Sequence, residues 1–163
     1  MKKIIFLDRD GVINHERGDY TYKIEDFVFI PGLFDTLHEL VEHGYEFIVI
    51  TNQGGVAKGR YSLMEFRALN AWMINRFKEE GITILKTYFS PDHHDYSKSL
   101  SRKPESILFE RAIHKFNVDV SQSWMIGDSQ RDIDAAEKVD VQGILIKANA
   151  PVVEWKNRLL NVE

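Results

Sequence analysis

Short apolar, β-branched runs alternate with longer segments whose apolar residues recur every three or four positions, and this alternation constrains the fold more than any other feature of the chain. Residues 4–7 form an apolar run that stops abruptly at Asp8, as a buried parallel strand does on reaching the edge of a sheet. Further strands are expected at 47–50, 82–89, 123–126 and 141–146, with a minor apolar run at 27–30. Pro31-Gly32 opens a helical pattern carried by Leu33, Phe34, Leu37, Leu40 and Val41 and closed by Gly44. Ser62 starts a long helix with Leu63, Phe66, Leu69, Met73 and Phe77 on one stripe, running to Gly81. Lys103-Pro104 begins a helix carrying Ile107, Leu108, Ala112 and Ile113, and residues 128–138 read as another. Trp72, Phe77 and Phe109 fall on apolar helical faces and are expected in the core. The alternation predicts an α/β protein: a Rossmann-like, open, mostly parallel five-stranded sheet with right-handed crossovers and helices on both faces. In such sheets ligands bind beyond the carboxyl ends of the strands.

Four strand ends or their neighbouring loops carry polar residues of a particular kind. They are Asp8-Arg9-Asp10, Thr51-Asn52-Gln53, Arg102-Lys103-Pro104, and Gly127-Asp128 with Asp132 four residues on. Each is weak alone; Asp-x-Asp recurs at Asp132-Ile133-Asp134, where helical geometry points the two side chains apart. At a strand end the same spacing keeps Asp8 and Asp10 on one side. Solvated loop acids are the plain alternative, but Asp8 directly follows four core-type residues. Carboxylates converging without Cys or His make a hard, oxygen-rich site, and Mg²⁺ is the cation that suits one or two carboxylates with waters and phosphate oxygens. Asp8 and Asp128 are the candidate side-chain ligands. Asp10 offers its backbone carbonyl, which leaves its side chain for proton transfer. Phosphate and carboxylates repel each other, so attack on phosphorus needs the metal and a lysine, for which Lys103 is the candidate. Thr51 and the Asn52 amide stand where they can donate to phosphoryl oxygens.

Bulk properties bound the rest. The 163 residues, 44% of them hydrophobic, suit one domain with one buried core, so residues 1–163 are expected to form a single unit. A net charge of −4, without a basic stripe, argues against nucleic acid as a partner, so an anionic substrate must be captured locally. The absence of cysteine removes disulfides, thiolate nucleophiles and every cysteine-based metal centre. The basic start at Lys2-Lys3 precedes an apolar run too short for a secretory signal, and no run approaches membrane-spanning length. A cytoplasmic monomer acting on a phosphorylated small molecule, with no membrane partner, is the expectation.

These four segments, in this order, resemble the haloacid dehalogenase (HAD) superfamily of aspartate-nucleophile phosphatases over nearly the whole chain. The wording Asp8-Arg9-Asp10-Gly11-Val12-Ile13-Asn14, the stretch from Thr51 to Gly59 and Arg102-Lys103-Pro104 most resemble its heptose bisphosphate and histidinol-phosphate phosphatase branch. The resemblance implies Asp8 as nucleophile and metal ligand, Asp10 as general acid and then base, Thr51 and Lys103 on the phosphoryl group, and Asp128 on the metal. Asp132 would steady Lys103 or the metal's waters from outside the ligand set. Members of this branch commonly carry a structural zinc, bound by a Cys-Pro-His and Cys-x-Cys pattern before Arg-Lys-Pro. Here Ser90-Pro91-Asp92 and Ser99-Leu100-Ser101 stand in those places, so no structural zinc is expected. Asp92, His93, His94 and Asp95 are the one conceivable substitute, disfavoured because four adjacent loop residues do not readily wrap one ion.

Larger members of the superfamily cover the site with an inserted domain, but the gaps 11–31 and 90–102 are loop-sized here, so a capless arrangement is expected. Specificity then falls to Asn52, Gln53 and the rest of the 53–61 loop, Arg102, and the 14–22 loop with Asp19, Tyr20 and Tyr22. Arg102 beside Lys103 suits a second anionic group on the substrate. The favoured activity is phosphomonoester hydrolysis on a sugar bisphosphate, a heptose 1,7-bisphosphate at the 7-phosphate. Histidinol-phosphate hydrolysis, a nucleic-acid 3′-phosphatase and an inert binding module of the same fold are the competitors. Trp155, Leu159 and Leu160 either tuck onto the sheet or meet a partner.

Overall fold

The computed structural model describes residues 1–161. Its strands are β1 (Lys3–Leu7), β2 (Tyr45–Asn52), β3 (Ile84–Ser90), β4 (Trp124–Gly127) and β5 (Gln142–Leu145). They form one parallel sheet in the order β3-β2-β1-β4-β5. The helices are α1 (Leu33–Glu42), α2 (Leu63–Glu79), α3 (Ile107–Phe116), α4 (Gln130–Glu137) and α5 (Val152–Leu160). The chain steps outward in one direction through β2 and β3, then returns to place β4 and β5 on the other side of β1. Right-handed crossovers therefore put α1 and α2 on one face and α3 and α4 on the other. The order reverses between β1 and β4, the crevice where such sheets bind ligands.

Alternation along the strands supplies both cores. Ile5, Leu7, Phe47, Val49 and Ile126 pack with Leu37, Leu40, Met73, Phe77 and Trp155 on the α1, α2 and α5 face. Ile4, Phe6, Ile48, Ile50 and Met125 pack with Phe109, Ala112, Ala135 and Ala136 on the α3 and α4 face. Because both faces are covered, β1 reads as an unbroken apolar run. Trp155 is fully buried, so α5 returns onto the sheet.

Three expectations shift. The helix expected from Lys103 begins at Ile107, because the backbone at Lys103 is tied to Asn52 and Glu105 N–H turns back to the Arg102 carbonyl. The helix expected from Asp128 begins at Gln130, since Ser129 is its N-cap in a capping box with Asp132. The run at 27–30 stays outside the five-stranded sheet, as expected; Phe29 makes one antiparallel bridge with Asn14. Trp72 is only partly buried, packed edge-on to Phe27 at the margin of the core.

Candidate active site

Asp8 follows the last residue of β1 and Asp128 the last of β4, and these neighbouring parallel strands deliver both carboxylates to the same crevice. Asp8 N–H donates to the Ile126 carbonyl at 3.0 Å, continuing the ladder one residue past the strand. Asp132, in the first turn of α4, completes the cluster: carboxylate oxygens of Asp8, Asp128 and Asp132 lie within 4.8 Å of one another. Two glycines make room for this. A Cβ on Gly11, whose φ is +87°, would collide with the Asp128 carboxylate, and one on Gly127 would collide with Asp132.

Lys103 is buried among these acids. Its ammonium donates to Asp8 Oδ1 at 2.9 Å, to the Ile50 carbonyl at 2.7 Å and lies 2.6 Å from Asp132 Oδ1. Three acceptors match its three protons. Burial alone would lower the Lys103 pKa, but the flanking Asp8 and Asp132 charges outweigh it and hold the lysine protonated above its ordinary value. The acids feel the opposite pressure. Burial raises the Asp8 pKa to about 8 against the pull of Lys103, helped by the charges of Asp132 and Asp128. Burial and then Asp132 raise Asp128 to about 6. One lysine does not neutralise three clustered carboxylates, so the residues present fit a hard divalent cation at Asp8 and Asp128. Asp132 is less available to it. Its Oδ1 faces Lys103 and its Oδ2 accepts from Ser129 N–H at 3.0 Å.

The other expected residues are distributed around this centre. Asp10 accepts from both Nε and Nη2 of Arg9, at 3.1 and 2.9 Å, from Asn14 Nδ2 at 3.0 Å and from Gln53 Nε2 at 3.3 Å. Arg9, itself buried, also donates to the Thr21 carbonyl at 2.7 Å, which ties the 14–22 loop to the first strand end. Asn52 acts through its side chain on Lys103: Nδ2 donates to the Lys103 carbonyl at 3.2 Å and Oδ1 accepts from Lys103 N–H at 3.0 Å. Gln53 spans the wall, donating to Thr51 Oγ1 at 3.0 Å and accepting from the Tyr61 hydroxyl at 2.5 Å.

A cleft of about 560 Å³ opens over Asp8, Asp10, Asp128 and Lys103. Asn52, Gln53, Asp19, Tyr20 and Arg102 line it as expected. Tyr22 does not; it stacks on Tyr61, ring centroids 5.2 Å apart, and Tyr61 takes its place on the wall. Thr51 also lies behind the wall, buried under the Gln53 amide, with only a 3.4 Å donation to the Asn52 carbonyl occupying its proton. Arg60 and Tyr61 come from the 53–61 loop expected to shape specificity, whereas Arg9 and Arg131 are wall residues that sequence reasoning missed. Arg9 carried a signal, an arginine between two site aspartates. Arg131 carried one too, standing directly before Asp132 in the first turn of a helix at the site.

The loop before Arg102 holds two groupings. His93, His94 and Asp95 bring ligand atoms within 4.8 Å of one another, with the Lys58 ammonium 3.7 Å from Asp95. Burial, then Lys58, lower the His93 pKa. Asp92 stands apart from them, its carboxylate turned to Ser99 and Ser101.

A parallel sheet with an acid at the end of each of two adjacent strands and a buried lysine between acids defines a hydrolase-type α/β site, and comparison with known proteins narrows it. The HAD-hydrolase-like family model matches residues 100–155. A D-glycero-alpha-D-manno-heptose-1,7-bisphosphate 7-phosphatase of Photorhabdus laumondii is 38% identical, over 93% of this chain and 86% of the relative. A D-glycero-beta-D-manno-heptose-1,7-bisphosphate 7-phosphatase of Vibrio cholerae is 35% identical, over 99% and 90%. The crystal structure of D,D-heptose 1,7-bisphosphate phosphatase from B. bronchiseptica, complexed with magnesium and phosphate, superposes with a TM-score of 0.80 at 25% identity, covering 88% of this chain and 79% of that one. The chain belongs to the HAD-like hydrolases, in the branch of the heptose 1,7-bisphosphate 7-phosphatases.

Proposed function

We propose that this chain is a magnesium-dependent phosphomonoester hydrolase that removes the 7-phosphate of a D-glycero-D-manno-heptose 1,7-bisphosphate through a phosphorylated Asp8. The observation that carries the reading is the Lys103 ammonium held between Asp8 and Asp132, with the Asp128 carboxylate alongside, at the crevice between β1 and β4. Asp8, Asp128 and the Asp10 carbonyl, to which no backbone amide donates among the described residues, would hold Mg²⁺. Bound there, the ion neutralises the carboxylates and draws charge from the phosphoryl oxygens.

The chain's own residues supply the rest. Lys103 offsets the charge of Asp8 and faces the incoming phosphate, while Asn52 fixes its backbone. Asp8 Oδ attacks phosphorus in line with the leaving alkoxide, which takes a proton from Asp10. In the second step Asp10 takes a proton from the water that attacks the acyl phosphate, and Asp8 is released with inorganic phosphate. Arg9 and Asn14 hold Asp10 aimed into the cleft. Thr51, buried beneath the Gln53 amide that donates to its hydroxyl oxygen, backs the wall on which the phosphoryl group rests. On the outer wall Arg102 and Arg131 lie close enough that Arg131, after burial, depresses the Arg102 pKa. Neither makes a carboxylate ion pair among the described residues, which leaves two guanidinium groups for the phosphate that is not transferred. The single domain works without a cap, as a monomer in the cytoplasm.

The test is a magnesium-dependent assay on heptose 1,7-bisphosphate in both anomeric forms, histidinol phosphate and a 3′-phosphorylated oligonucleotide. Release of one phosphate per bisphosphate, leaving the 1-phosphate, is expected. Equal turnover of histidinol phosphate would overturn the substrate assignment, and no turnover of any substrate would overturn the catalytic one.

A further inference from the structure

The residues flanking the loop before Arg102 are joined by their own side chains. Ser99 Oγ donates to Asp92 Oδ2 at 2.6 Å and lies 3.0 Å from Ser101 Oγ. Ser101 Oγ in turn sits 2.9 Å from the Oγ of fully buried Ser90 and 3.4 Å from Asp92 Oδ2. The N–H groups of Ser101 and Arg102 both donate to Ser99 Oγ, at 3.2 and 3.3 Å. The end of β3 is thereby closed onto the segment that leads into Arg102 and Lys103.

This donor set does not fit zinc. Three of the four oxygens are neutral hydroxyls, where zinc sites of this type use thiolate and imidazole. Spacing also disagrees: ligand atoms around a tetrahedral ion with bonds near 2.05 Å stand about 3.3 Å apart, whereas the consecutive contacts here run from 2.6 to 3.0 Å. Those are hydrogen-bond distances, and the groups satisfy one another.

The clasp has a defined output. Asp92, whose carboxylate it holds, accepts from Arg102 Nη1 through its backbone carbonyl at 2.9 Å. Gly54 leaves the space for that guanidinium; a Cβ there would stand 2.9 Å from Arg102 Nη1. Arg102 is thus held at its backbone by Ser99 and at its tip by Asp92, on the wall of the cleft. We propose that Ser90, Asp92, Ser99 and Ser101 form a metal-free clasp that positions Arg102 against the substrate's second anionic group, with Asp92 a positioning residue for its recognition. The inference rests on the reading that Arg102 meets the phosphate that is not transferred.

The experiment compares wild type, Asp92→Ala, Ser99→Ala, Arg102→Ala and the Asp92→Ala/Arg102→Ala double variant. Two substrates are used, heptose 1,7-bisphosphate and the same heptose carrying only the 7-phosphate, with zinc content and thermal midpoint measured alongside. Asp92→Ala keeps the backbone carbonyl but frees its segment from Ser99, so Arg102 no longer holds its hydrogen bond to the second anionic group, and the KM for the bisphosphate is expected to rise about tenfold. Its kcat stays within about twofold, its KM for the monophosphate is unchanged, and no further loss appears on the Arg102→Ala background. If Asp92→Ala does not fold, Ser99→Ala carries the same expectation. An Arg102→Ala variant with unaltered KM for the bisphosphate overturns the second-anion reading. Arg102→Ala impaired but Asp92→Ala and Ser99→Ala intact overturns the clasp alone. Equal impairment on both substrates reduces Asp92 to a structural role. One zinc per wild-type chain, lost in Asp92→Ala, overturns the metal-free assignment.

Discussion

Replacing the proposed nucleophile should abolish turnover and, in the absence of magnesium, make the protein more stable. In Asp8→Asn the amide keeps the shape of the carboxyl, and its oxygen still accepts from Lys103, which retains Asp132 as its counter-ion. What disappears is a buried negative charge. Burial, above all, raises the Asp8 pKa from 3.8 to about 8. A carboxyl whose pKa is raised in the folded state is penalised at any pH where the unfolded chain would ionise it. The penalty is absent below about pH 4, grows through neutral pH, and reaches its plateau once pH passes the folded value near 8. At about 1.4 kcal/mol per pH step, the range from 3.8 to 7 bounds it at roughly 4 kcal/mol at neutral pH. Relaxation of the cluster and entry of water reduce this, so a gain of ~1–3 kcal/mol is expected, about 3–9 °C in midpoint for a chain of this size.

The assay is thermal unfolding of both proteins in EDTA at pH 5, 7 and 9, repeated with excess Mg²⁺. The advantage of Asp8→Asn should increase from pH 5 to pH 9 in EDTA, and shrink or reverse with Mg²⁺, because the ion stabilises the wild type by binding the charge that the variant lacks. An advantage independent of pH, or no advantage at pH 9 in EDTA, would refute the electrostatic account of the cluster. Residual turnover above about a thousandth of wild type would refute Asp8 as nucleophile.

Three further perturbations separate parts of the structure. Lys103→Met leaves Asp8 and Asp132 buried without their common partner and should cost about 3–5 kcal/mol by denaturant unfolding in EDTA, together with all measurable turnover. Tyr61→Phe deprives Gln53 Oε1 of its donor; kcat should fall by about tenfold or less while stability drops ~1–2 kcal/mol, and a larger catalytic loss would place Tyr61 in the chemistry itself. Trp155→Ala empties a fully buried site against the sheet and should lower stability by about 3–5 kcal/mol, with kcat of the folded enzyme unchanged in assays well below the midpoint.

The fold was legible because its signals are local. A strand covered on both faces must be apolar throughout, so 4–7 stood out, and Ser62 with the stripe from Phe66 to Phe77 marked α2 from residues within one helix. The start of α4 differs because of a local cap at Ser129, but the start of α3 is decided by a long-range contact. Nothing near Lys103 in the sequence announces that the Asn52 side chain, 51 residues away, ties both its N–H and its carbonyl and keeps residues 103–106 out of the helix.

The site divides along the same line. Asp8, Asp10, Asn52 and Asp128 sit at or next to the ends of strands, and a parallel sheet brings all strand ends to one edge whatever the loops do; a reader needs only the strands to find them. The walls obey no such rule. Tyr22 and Tyr61 are equally aromatic loop residues that stack on each other, and it is Tyr61, whose hydroxyl donates to Gln53 Oε1, that faces the cleft. Arg131 reaches the cleft only because Ser129 starts α4 two residues earlier and turns its first residues toward β4. The division has a functional counterpart. The aspartates proposed for phosphoryl transfer, Asp8, Asp10 and Asp128, are set by strand ends, and only Lys103 among the proposed catalytic groups comes from a loop, pinned there by Asn52. The positions that choose the substrate are set by side-chain pairings across loops, such as Asp92 with Ser99 and Asp92 with Arg102. Substitutions in the second group should therefore change KM between substrates while leaving kcat nearly untouched, and substitutions in the first should do the reverse.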